Sequence, residues 1–116
     1  MNDPAASTST ARVSFIVYLP VKPEARERMR EMMFEVLEAM SAEPDFINTW
    51  AHEDLDDPNL IVNYETWACT REEFLSRHLA KPYRQPLEAA LPELLSGPRR
   101  IVFLKPLRGF APQGQG

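Results

Sequence analysis

The 116-residue chain has one cysteine, four glycines and two histidines, and each scarcity excludes something. A single thiol, Cys69, cannot close an internal disulfide, which fits a reducing compartment such as the cytoplasm. There is no glycine-rich loop to cradle phosphates, so NAD, FAD and ATP have no visible seat. His52 and His78 stand far apart, with no C-x-x-C or H-E-x-x-H, and D-L-D-D-P-N lacks the central glycine and closing glutamate of a calcium loop. No metal-ligand spacing is therefore legible, and none is expected. Cys69 has no cation or histidine beside it in sequence to activate it as a nucleophile.

Positive charge is also short. The net charge is −4, and Arg71, Arg77, Arg84, Arg99 and Arg100 are interspersed with carboxylates and prolines. Without a basic stripe, neither nucleic acid nor an anionic membrane surface is an expected partner. No apolar run approaches the roughly 20 residues of a membrane helix, and no basic-then-apolar leader opens the chain. These absences together predict a cytoplasmic protein.

The composition that remains, 44% hydrophobic and 26% charged, is that of one globular domain. Residues 1–11 and 108–116 read as disordered tails around a domain at 12–107. Val/Ile/Phe/Tyr-rich runs predict strands at 12–19, 46–53, 60–67 and 100–107. Met29, Met32, Met33, Val36, Leu37 and Met40 recur at helical spacing, predicting an amphipathic helix over 24–42. Thr70 and Glu73 form a capping box, with Cys69 and Phe74 as its hydrophobic staple, so a second helix starts there. A third is predicted over 83–95, with Pro92 expected to kink or break it. The order is that of an α+β, ferredoxin-like βαββαβ protomer with a four-stranded antiparallel sheet.

Both faces of these strands are apolar. Helices can cover only one, so the other is expected to pack against a second copy, giving a homodimer of face-to-face sheets, a dimeric α/β barrel.

The strand L-I-V-N-Y-E-T-W carries the chemistry. Ile61, Asn63, Glu65 and Trp67 share one face, and Leu60, Val62, Tyr64 and Thr66 the other. In the following helix, His78 falls on the apolar stripe with Phe74, Leu75 and Leu79. If the Trp67 face looks at the helices, Asn63, Glu65, Trp67 and His78 converge on one pocket. Each has a plainer reading: a lone buried histidine is more often a hydrogen-bonded core group, and the methionine stripe is more often core than pocket. Phe74, Met29, Met32, Met33 and Tyr64 are the expected substrate contacts.

V-K-P-E-A-R-E-R-M, H-E-D-L-D-D-P-N-L-I-V-N-Y-E-T-W, F-L-S-R-H-L-A-K-P-Y and L-L-S-G-P-R-R-I-V-F-L-K-P-L together resemble the antibiotic biosynthesis monooxygenase (quinol monooxygenase-like) family. The resemblance implies a dimeric α+β barrel. It also implies a cofactor-independent monooxygenase that oxidises a small aromatic phenol or quinol, with molecular oxygen as co-substrate. Asn63 and Trp67 match the family's pocket asparagine and tryptophan, Glu65 the glutamate of its E-x-W, and His78 its helix histidine. His78, alone or with Glu65, would take the phenolic proton, and Asn63 and Trp67 would donate to the developing oxyanion.

Two rivals share this frame. Related haem-degrading oxygenases use a tryptophan, a helix histidine and a first-strand asparagine, but V-S-F-I-V-Y places Ser14 where that asparagine belongs. The other rival is a non-catalytic dimer that only holds a small molecule.

Overall fold

The computed structural model describes residues 11–113, so most of the two predicted tails lies outside the described residues. Strand β1 (Val13–Pro20) leads through a 3-10 turn (Pro23–Ala25) into helix α1 (Arg26–Met40), followed by β2 (Phe46–Glu53) and β3 (Leu60–Trp67). Helix α2 begins as an α-turn (Arg71–Glu73) and continues as a π-turn (Phe74–His78). A 3-10 turn (Pro82–Arg84) opens α3 (Gln85–Leu94), and β4 (Arg100–Leu104) ends the fold.

The sheet is antiparallel in the order β2-β3-β1-β4, so the α+β, ferredoxin-like architecture stands. Register decides which residues share a face. Val13, Phe15 and Val17 of β1 stand opposite Trp67, Glu65 and Asn63 of β3. All six are buried under the helices. Met29, Met33, Val36 and Met40 supply the buried stripe of α1, with Met32 and Leu37 packed at its edge. Trp67 and Met29 are 0% exposed, and fully burying an apolar side chain of this class contributes roughly 1.5–3 kcal/mol.

The opposite face is open. Trp50 is 63% and Tyr64 40% exposed, and Tyr64 stands beside Ile16 and Trp50 in the ladder.

Four expectations need correction. Pro92 sits inside α3 without breaking it. The amide it lacks would have served the Glu88 carbonyl, and with the helix ending at Leu94 little more than that bond is lost. The last strand stops at Leu104, just short of Pro106, and α1 proper spans Arg26–Met40. Leu75, placed on the apolar stripe of α2, is 42% exposed, because the π-turn alters the phase of the helix at that point.

Candidate functional site

Between the sheet and helices α1 and α3 lies a cavity of about 60 Å³. Its walls are mostly apolar, with Phe15, Val17, Met29, Met33, Phe74 and Leu91 among them. Five polar side chains reach it: Asn63 and Glu65 from β3, Arg84 from the turn before α3, and the Glu88 and Arg99 pair. Arg99 donates to Glu88 through two bonds of 2.8 and 3.1 Å.

Asn63 and Glu65 enter the cavity because residues two apart on a strand share a face. Asn63 Nδ2 contacts Met33 Sδ at 3.3 Å, and its Oδ1 is buried with no hydrogen-bond partner. Glu65 Oε1 accepts from the Trp67 indole N–H at 3.1 Å. Burial raises the Glu65 carboxyl above the ordinary carboxylate range, while the Trp67 bond and the Arg84 charge act in the opposite direction. A carboxyl so placed holds a proton more readily than one in water, which is what a general acid or base near neutral pH requires.

Arg84 is the polar group at the cavity that sequence reasoning missed. It is only 8% exposed, its guanidinium lies over Phe74 at 5.5 Å from the ring centroid, and its Nε and Nη2 have no partner. A buried cation with spare donors beside an apolar cavity favours an anion there. The sequence reading places Arg84 only in the first turn of the helix predicted over 83–95, and nothing in K-P-Y-R-Q-P marks which way its side chain turns.

Trp67 and His78 do not line the cavity. The His78 ring packs against Trp67 with centroids 4.5 Å apart, behind the wall, and its Nε2 lies 2.9 Å from Asp45 Oδ2. A carboxylate only accepts, so Nε2 carries a proton there and Nδ1, which has no partner, faces Glu43 Oε1 at 4.0 Å. The Lys81 ammonium bonds both Glu43 oxygens and holds that carboxyl below its ordinary range. The capping box is present, with Glu73 N–H donating to Thr70 Oγ1 at 3.0 Å and Thr70 N–H to Glu73 Oε1 at 2.9 Å. Cys69 is buried at 2% exposure, and burial, then the Asp45 and Glu73 charges, push its thiol up to about 11.

Among the expected substrate contacts, Met29, Met33 and Phe74 line the cavity and Met32 does not. Tyr64 is on the open face of the sheet, since strand alternation turns it away from Asn63 and Glu65. Haem does not fit this arrangement: His78, its expected axial ligand, points at Asp45 and is separated from the cavity by position.

Residues 12–86 match the family model for antibiotic biosynthesis monooxygenase, and the chain belongs to that family. Solved structures agree on the fold. Rv0793 from Mycobacterium tuberculosis superposes with a TM-score of 0.77 at 23% identity, covering 87% of this chain and 100% of that one. PA3566 from Pseudomonas aeruginosa gives 0.76 at 19% identity, covering 86% and 98%. A variant of SnoaB, a cofactor-independent oxygenase from Streptomyces nogalater, gives 0.71 at 19% identity, covering 84% and 95%. No curated protein sequence matches the chain. Among the described residues, no helix is long and apolar enough to cross a membrane.

Proposed function

We propose that the protein is a cofactor-independent monooxygenase that oxidises an electron-rich phenol or quinol with O2. The observation that carries this reading is the convergence of Glu65, Asn63 and the unpaired Arg84 on one apolar cavity. The kinship with SnoaB, described as a cofactor-independent oxygenase, supports it.

The phenolic proton passes to Glu65, whose raised affinity for protons suits it to be a base. Arg84 pairs with the phenolate that results. The phenolate gives one electron to O2, and the radical pair recombines at a ring carbon to form a hydroperoxide. Asn63 Nδ2 donates to the peroxide oxygen, and loss of water leaves the quinone, so that phenol and O2 become quinone and H2O. His78, lying behind Trp67, holds the wall and does not touch the substrate.

The cavity of about 60 Å³ is smaller than a bicyclic phenol, for which pockets run to several hundred Å³. Access requires the Glu88–Arg99 pair to part and the flexible methionines to move aside. The open face of the sheet, bearing Trp50 and Tyr64, packs on a second copy and completes a dimeric barrel.

Oxygen consumption with a panel of dihydroxynaphthalenes tests the proposal. The expected result is turnover by the parent protein and a KM rise in Arg84→Met larger than its fall in kcat. Binding without oxygen uptake across the panel would make the protein a carrier instead.

A further inference from the structure

Behind Trp67 lies a second cluster that the proposed oxidation does not use. Asp45 precedes β2, Cys69 follows β3 and His78 closes the π-turn of α2, yet their ligand atoms all lie within 4.8 Å of one another. Three local devices fix them. The Ala68 N–H donates to the Asp45 carbonyl at 2.7 Å, tying the strand ends together. The Thr70–Glu73 capping box sets where α2 begins. The π-turn, with Leu79 N–H reaching the Phe74 carbonyl, then sets the direction of His78.

The histidine carries the telling observation. It is 3% exposed; its Nε2 faces Asp45 Oδ2 at 2.9 Å, and its Nδ1 is buried without a hydrogen-bond partner, 4.0 Å from the Glu43 carboxylate. A buried ring nitrogen left without a partner is a costly arrangement. A cation on Nε2 leaves the ring proton on Nδ1, pointing at Glu43, and gives the carboxylate–histidine–metal alignment common in metalloproteins. Lys81 already holds Glu43 in place.

We propose that Asp45, Cys69 and His78 form a site for a zinc-like divalent cation, with Glu43 bonded to the far side of the histidine. One sulfur, one imidazole nitrogen and one carboxylate oxygen suit zinc and its tetrahedral relatives, not magnesium or calcium. Binding displaces the thiol proton and leaves the histidine with its ring proton on Nδ1, so uptake of the ion releases protons. Three protein ligands leave the fourth position to water. The Asp45 side chain, 26% exposed, is the path in, and the half-exposed Arg77 that bonds it withdraws to Glu73. The ion braces Trp67 from behind through the His78 ring. This inference does not rest on the oxygenase reading.

Cobalt(II) titrated into the chelator-treated full-length protein tests the site. The expected result is a sulfur-to-cobalt charge-transfer band with four-coordinate d–d bands, saturating at one ion per chain and displaced by zinc. Cys69→Ala abolishes the charge-transfer band, Glu43→Ala weakens binding about 10- to 100-fold, and His52→Ala on the open face leaves it intact. Because His78→Ala could fail to fold, zinc-dependent Tm is measured on the parent and Cys69→Ala, where only the parent gains stability. Absence of the band at excess cobalt, or its survival in Cys69→Ala, overturns the proposal.

Discussion

Trp67 joins two polar centres that never meet. Its indole N–H donates to Glu65 Oε1 at 3.1 Å on the cavity side, while its ring packs on His78 at 4.5 Å on the other. Trp67→Phe keeps most of the stack and deletes the only hydrogen bond that the Glu65 side chain makes among the described residues. Urea denaturation should show a loss of about 1–3 kcal/mol, the usual cost of orphaning a buried polar group. An unchanged midpoint would mean that Glu65 finds another donor.

Glu65 should make stability depend on pH in a definite direction. The folded state binds its proton more tightly than the unfolded chain does, because burial raises the folded value above the ordinary one. Its contribution is then fully present below the unfolded carboxylate range and is lost as pH rises through the raised folded value. Glu65→Gln abolishes that titration and keeps an oxygen to accept from Trp67. Denaturation at successive pH values should therefore show the variant gaining on the parent across that window. Oxygen uptake should fall by about 10²–10⁴-fold, the usual worth of a general base.

The Glu88–Arg99 pair lines the cavity with both side chains about a third exposed. Such pairs are worth about 0–1 kcal/mol to the fold, so Arg99→Ala should leave the Tm within a few degrees of the parent. Stopped-flow mixing should nevertheless show faster association of a phenolic ligand. An unaltered rate would place the access route elsewhere.

Trp50→Glu together with Tyr64→Lys puts charge on the open face of the sheet, far from the cavity. Light scattering should find a dimer in the parent and a monomer in the double variant. If the parent itself is monomeric at micromolar concentration, the barrel arrangement fails.

Much of this architecture was legible beforehand, for identifiable reasons. Alternation along β3 depends only on strand geometry, so Asn63 and Glu65 could be assigned to one face before any contact was known. The Thr70–Glu73 box is a local device with local chemistry, and the methionine stripe follows from helical spacing. What escaped was set by tertiary placement. Ordinary helical phase turns His78 toward the cavity, but the turn that carries it is π. Asp45 and Cys69 are far apart in sequence, and only the return of β3 brings them together. Arg84 sits between two prolines with no pattern to mark which way it points.

The arrangement of β3 has a consequence for how the protein can change. Odd-numbered positions from Ile61 to Trp67 belong to the cavity side and even-numbered ones to the open side, so the strand writes two messages in alternate letters. Substitutions can edit either message alone, and chemistry and association are free to drift apart. A one-residue insertion or deletion exchanges every letter at once, which makes the length of this strand, more than any single side chain in it, the property least open to revision.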